Sequence, residues 1–176
     1  MECGDHLGFG FYLFGFDMES TVVSHVRLRE IVPDDLPRMY EFNLDRDANR
    51  LAMTIPRSAD AFKSHWEKVL ADPNVVVKAI SVGNELAGHI SCFKQNGSDA
   101  VGYWVGREFR GQGIASRALE LLLKVVPIRP LHARVATSNR ASLRVLQKCG
   151  FVVQCVQVSP TVDRFLECEE AFLVLK

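Results

Sequence analysis

Apolar positions along this chain switch between a period of two and a period near 3.6, and the switches mark the elements. VRLREIV from Val26 alternates as a first strand, and the Pro33-Asp34-Asp35 run opens a helix over about 35–44. In ADAFKSHWEKVL the residues Phe62, Trp66, Val69 and Leu70 recur at i, i+4, i+7 and i+8, which predicts a second helix with Ser58 as N-cap and Pro73 as stop. NVVVKAISV, ELAGHISCF and AVGYWVG follow, joined by Gly83-Asn84 and Asn96-Gly97, a pattern that predicts an antiparallel meander. Beyond it Ile114, Ala118, Leu122 and Val125 form the apolar stripe of a helix with Glu120 and Lys124 as an outward pair, and Pro127 and Pro130 end it. LHARVA then alternates, Asn139 is placed to cap RASLRVLQKC, Gly150 sits where a helix end favours a left-handed residue, and FVVQCVQV and ECEEAFLVLK close the chain as strands. The expected order is β-α-α-β-β-β-α-β-α-β-β: an α/β protein, with a mixed sheet of about seven strands, four helices on its faces and an antiparallel first half.

The length of 176 residues suits a single core, placed over 26–176, with residues 1–25 read as an aromatic and glycine-rich extension ahead of it. That opening has no Lys or Arg before its apolar part and too many glycines for a spanning helix, so neither a secretory signal nor a membrane anchor is expected. Twenty-one basic and twenty-one acidic residues cancel, so no global field draws the chain to nucleic acid or to an anionic membrane, and any anion it binds must be held locally. Five cysteines without a CxxC pair argue against a disulfide framework and a zinc cage and favour a reducing, cytoplasmic setting. His6, His25, His65 and His132 have no partner at metal-ligand spacing, so no metal is assigned.

The stretch most suggestive of chemistry is REFRGQGIASRALELLLK, residues 107–124. A helix N-terminus carries unpaired N–H groups and the positive end of the helix dipole; Gly111 and Gly113 in front of it allow the chain to curl so that those amides meet an anion. Arg110 and Arg107 would add charge-assisted donors. No Walker string is present, and a dinucleotide fingerprint fails because Ser116 stands at its third glycine and no acidic residue follows at the required distance. A plain glycine turn with solvated arginines is the competing account.

The segment resembles the pyrophosphate loop of the GNAT superfamily of N-acetyltransferases, whose pattern Q/R-x-x-G-x-G/A is met by Arg110, Gly113 and Ala115. GYWV before it and NRASLRVLQKCGF after the next strand resemble the RimJ/RimL branch, which acetylates protein N-termini among other amines. The resemblance spans about residues 26–176 and implies acetyl-CoA as cosubstrate. It implies a cofactor site of Val105, Arg107, Arg110, Gly111, Gln112, Gly113, Ile114, Ala115, Ser116, Asn139 and Ser142, in a cleft opened where the fourth and fifth strands, carrying Tyr103 and Leu131, splay apart. The pantetheine arm would pair like an extra strand with the backbone near Val105.

Acyl transfer to an amine needs a neutral amine, donors for the developing oxyanion and a proton for the departing thiolate. Ser142 shares an apolar helix face with Val145, Leu146 and Cys149, so its hydroxyl points inward, either back to a carbonyl of its own helix or, as the resemblance implies, to the CoA sulfur. Asn139 reads both as N-cap and as a partner of pantetheine, and the resemblance gives the oxyanion role to the Val105 N–H. Relatives often carry Glu where this chain has Ala100, which leaves the base open; Asp99 and Tyr103 stand with Ser142 as catalytic candidates, although Asp99 would face the other side of a regular strand or a solvated turn. An α-amine, with a pKa of about 7.7–8.0 against about 10.4 for lysine, is the easier acceptor for a site without a strong base. The expected partners are acetyl-CoA and a protein, peptide or small-molecule amine, with the protein a monomer or homodimer. A CoA-binding sensor without transferase activity and a generic phosphate binder are the alternatives.

Overall fold

The structure, a computed structural model, describes residues 22–176. Seven strands form one mixed sheet in the order β1-β2-β3-β4-β5-β7-β6. The elements are β1 (Val26–Arg29), α1 (Leu36–Asn43), α2 (Arg46–Leu51), α3 (Ala59–Ala71), β2 (Val76–Val82), β3 (Glu85–Gln95), β4 (Ser98–Val105), α4 (Ile114–Val125), β5 (Leu131–Ala136), α5 (Arg140–Lys148), β6 (Val152–Ser159) and β7 (Cys168–Leu175). Most of the proposed extension, residues 1–21, lies outside the described residues; of the remainder, Val22 packs against the core.

The meander forms as the turn residues require. Asn96 and Gly97 both take positive φ, 51° and 81°, the geometry that matches a two-residue hairpin to strand twist. β1 to β4 are antiparallel neighbours, and β5, β7 and β6 pair antiparallel among themselves. The halves meet through one parallel pairing, Ala100 with His132, after which β4 and β5 separate. At the far end of β4 a Cβ on Gly88 would lie 2.0 Å from the Trp104 carbonyl oxygen, so only glycine lets the two backbones crowd there.

Two hydrophobic clusters sandwich the sheet. Ile114, Ala118, Leu119 and Leu122 of α4 and Leu146 of α5 pack on Ile80, Ile90, Leu131 and Leu173. Met39 of α1 and Phe62 and Trp66 of α3 pack with Val77 on the other side, where Trp66 also meets the ring of His89 edge-on at 4.9 Å between centroids. Ser58 caps α3 as expected, accepting the Ala61 N–H at 3.3 Å. Among the described residues no helix is long and apolar enough to cross a membrane.

Three expectations need correction. The stretch between the first two expected helices carries a helix of its own: Asp45 accepts the N–H groups of Asp47 and Ala48 and so nucleates the short helix α2, which was not among the four expected. Val125 and Leu70 are 61% and 45% exposed, because each sits at the end of its helix where the packed partner has run out; Leu119 and Val126 complete the buried arc of α4 instead. Glu120 pairs with Arg117, one turn back, rather than with Lys124.

Candidate active site

The parting of β4 and β5 leaves a cleft of about 430 Å³, walled by the ends of β4, α4 and α5 and roofed by Ala48 and Leu51 of α2 and by Ala52 just after it. Its floor is the glycine loop. After a 3-10 turn at Arg107–Phe109, Gly111 and Gly113 both adopt φ of +76°, which turns the chain sharply into α4. Gly113 is the N-cap and has no side chain to offer, so the first amides of α4 are left without a side-chain cap, at the edge of the cleft that Gly113, Ala115 and Ser116 line.

The two arginines of the loop are paired within the chain. Arg110 lines the cleft, but its guanidinium is bound to Asp45 at 2.6 Å and to the Val105 carbonyl at 3.0 Å. Arg107 lies against Asp47 and, at 3.4 Å, Asp45. Burial raises the pKa of Asp45, but the Ala48 N–H and the two guanidiniums outweigh it and hold the carboxylate below its ordinary range. Asp45 thus ties α2 to the loop over the cleft, which Arg144 and Lys148 of α5 also line. Gln112 donates to the Glu108 carbonyl at 2.7 Å and braces the loop, while the Ile114 side chain is in the core, so only its amide can face a ligand. Ala115 and Ser116 line the cleft directly.

On the opposite wall Asn139 caps α5 through Ser142 N–H at 3.1 Å and also lines the cleft, so the cap and ligand roles coexist. The Ser142 hydroxyl does not turn back on its own helix: it meets the Tyr103 hydroxyl at 2.9 Å, while Tyr103 also approaches the Ser142 carbonyl at 3.3 Å. Burial pushes the Tyr103 phenol up to about 12, the Ser142 bond pulling the other way, so Tyr103 stays protonated and able to donate. The pair crosses the cleft between β4 and α5.

Asp99 is not part of this arrangement. It forms an ion pair with Lys94 at 2.8 Å near the hairpin, roughly 13 Å of strand from Tyr103 and on the far side of the β4–β5 pairing. Ala100 is buried and offers no carboxylate at its position in β4. Among the described residues no group of three or more His, Cys, Asp or Glu could hold a metal.

A second cavity was not legible in the sequence. About 100 Å³ in volume, it is lined by Arg57, His65, His89, Trp104 and Arg164, contributed by four separate segments. Trp104, held by its indole N–H to the Phe42 carbonyl at 3.1 Å, lines both cavities.

Comparison with known proteins bears on the family and the fold. The family model described as the acetyltransferase (GNAT) domain matches residues 25–152. "Putative ribosomal N-acetyltransferase YdaF" of Bacillus subtilis (strain 168) is 26% identical over 147 residues, covering 74% of this chain and 80% of that protein. Among solved structures, RimL, the ribosomal L7/L12 alpha-N-protein acetyltransferase, superposes with a TM-score of 0.74 at 21% identity, covering 88% of this chain and 91% of its own. The spermidine N-acetyltransferase of Vibrio cholerae, solved with CoA and spermine, gives 0.70 at 19% identity, covering 86% and 96%. With the family model running from the first strand through the glycine loop and α5, this chain belongs to the acetyltransferase (GNAT) domain family.

Proposed function

We propose that residues 26–176 form a cytoplasmic N-acetyltransferase domain that moves an acetyl group from acetyl-CoA directly to a primary amine, either the α-amine of a protein or peptide or a small-molecule amine. The carrying observation is the coincidence, in one cleft, of the uncapped amides at Gly113 and the Tyr103–Ser142 hydroxyl pair. In this reading the amides of residues 113–116 hold the diphosphate, and the pantetheine arm runs between Val105 and Asn139. The amine nitrogen attacks the thioester carbon; the N–C bond forms, the C–S bond breaks, the amine gives up a proton to water in the cleft and the thiolate gains one. Ser142, hydrogen-bonded to a phenol that stays protonated, supplies that proton and regains it from Tyr103 or water. The Val105 N–H remains the candidate oxyanion donor. The relatives named as ribosomal and spermidine acetyltransferases support an amine acceptor in general.

The second reading, a CoA-binding sensor, is favoured by one observation: the carboxylate nearest the expected base position, Asp99, is spent on Lys94 outside the cleft. Release of free CoA thiol from acetyl-CoA, measured against peptides, polyamines and other small amines, separates the two. Acceptor-dependent release is expected. Saturable acetyl-CoA binding with no release across the panel would establish the sensor instead.

A further inference from the structure

The geometry points to the second cavity as an anion seat of the acceptor site: Arg57 and Arg164, with His65, hold a carboxylate or phosphate group carried by the amine substrate. This inference rests on the acetyltransferase reading for the word acceptor, and on the cavity alone for the anion.

Arg29, Arg38, Arg107, Arg110, Arg117 and Arg134 each meet a carboxylate. Arg57 and Arg164 do not: among the described residues neither forms an ion pair, although both are half-buried. Arg164 gives its Nε to the Ile55 carbonyl at 2.7 Å and one terminal nitrogen to Asn49 Oδ1 at 3.2 Å; the Arg57 guanidinium reaches only His65 Nδ1, at 3.4 Å. A guanidinium carries five N–H donors, so several remain unspent on the cavity wall.

Two like charges share this wall. Burial, then Arg57, pushes Arg164 down to about 10, while Asp163 pulls weakly the other way. Burial, then Arg57, Arg164 and Lys68, pushes His65 down to about 4, so it is a neutral imidazole at pH 7. His89 Nδ1 is buried with no hydrogen-bond partner in the same cavity. Asp163 acts on Arg57 as well, but forms an ion pair with neither arginine, so the two half-buried cations remain costly, and a bound oxyanion relieves repulsion and desolvation together. A volume of about 100 Å³ admits one such group and little more. Because Trp104 walls both cavities, an acceptor anchored here presents its amine along the indole toward the cleft.

The test is acetylation of matched amines: peptides differing only as Asp/Asn, Glu/Gln or phosphoserine/serine in their first three residues, γ-aminobutyrate against its amide, and phosphoethanolamine against ethanolamine. In at least one pair the anionic member is expected to show kcat/KM about ten- to a hundredfold higher. Arg164→Gln or Arg57→Gln should remove that ratio while leaving the neutral member and the KM for acetyl-CoA within about twofold, since neither side chain lines the donor cleft. The carboxylate and phosphate pairs identify which oxyanion is preferred. Neutral partners performing equally in every pair, or a preference that survives the double substitution, overturns the proposal. Failure of the acetyltransferase reading is distinguishable: with no amine acetylated, inorganic phosphate titrated into the protein should still move the His65 imidazole resonances saturably. It should also raise the His65 pKa, and both effects should be lost in the Arg57→Gln/Arg164→Gln protein. No saturable shift sinks the anion seat by itself.

Discussion

The two cavities on either side of Trp104 differ in what they offer an anion. The larger has an uncapped helix start with Gly111, Gly113 and Ala115 at one end, and Tyr103, Phe109, Arg110, Arg144 and Lys148 among its other lining residues. The smaller is lined by two half-buried guanidiniums and two imidazoles that burial keeps neutral, with aromatic rings beside them. Backbone amides hold an anion without a net charge of their own, so such a seat costs little when empty. Guanidiniums bind more strongly but remain unpaired until a ligand arrives. A carrier common to many reactions suits the first design, and a feature that selects one acceptor suits the second.

The sharpest way to break this contrast is Gly113→Trp. Its φ of +76° strains any side chain, and a Cβ there already lies 3.0 Å from a Val23 methyl group. Acetyl-CoA affinity by calorimetry should drop about a hundredfold or more, with circular dichroism checking that the fold persists. Next in size, Ser142→Ala and Tyr103→Phe should each lower kcat about ten- to a hundredfold, with KM for acetyl-CoA nearly unchanged, in steady-state assays. Both losses together should be less than multiplicative, because the hydroxyls act as one unit.

Asp45→Ala removes the α2 cap and releases Arg110 and Arg107, so thermal or urea unfolding should show a loss of about 1–2 kcal/mol. The pH dependence of stability should separate the cavities as well. His65 and His89 are both depressed to about 4, chiefly by burial, so between pH 6.5 and 4 the unfolded chain binds protons that the native state refuses. Stability is therefore full above pH 6.5 and should fall as pH drops through this window. A decline in Tm of about 5 °C or more is expected, and His89→Phe should flatten it. Asp45 and Asp35, whose pKa values are lowered, add their losses only below the ordinary carboxylate range. Smallest of all, Asp99→Asn should change kcat less than about twofold, since its carboxylate lies outside the cleft.

The same contrast explains what could be read from the chain. The donor seat is local: glycines two residues apart before a periodic helix announce a curl and an amide cluster in seven letters. The meander was equally legible, because Asn96-Gly97 sets hairpin geometry and alternation sets the faces. The Arg110 and Arg107 partners were not, since Asp45 and Asp47 lie some sixty positions away and meet the loop only after α2 folds over it. The Tyr103–Ser142 bond was half visible: helical spacing turned Ser142 inward, but the splay of β4 from β5 decides what it meets. The smaller cavity left no trace, because residues 57, 65, 89, 104 and 164 share no period, and each reads alone as ordinary surface or core.

The most direct test of the donor seat is a crystal structure of the protein with bound acetyl-CoA. The diphosphate oxygens should lie about 3 Å from the amide nitrogens of residues 113–116, with the sulfur beside Ser142. A carrier bound elsewhere, with the turn at Gly111 to Gly113 facing only solvent, would contradict the account.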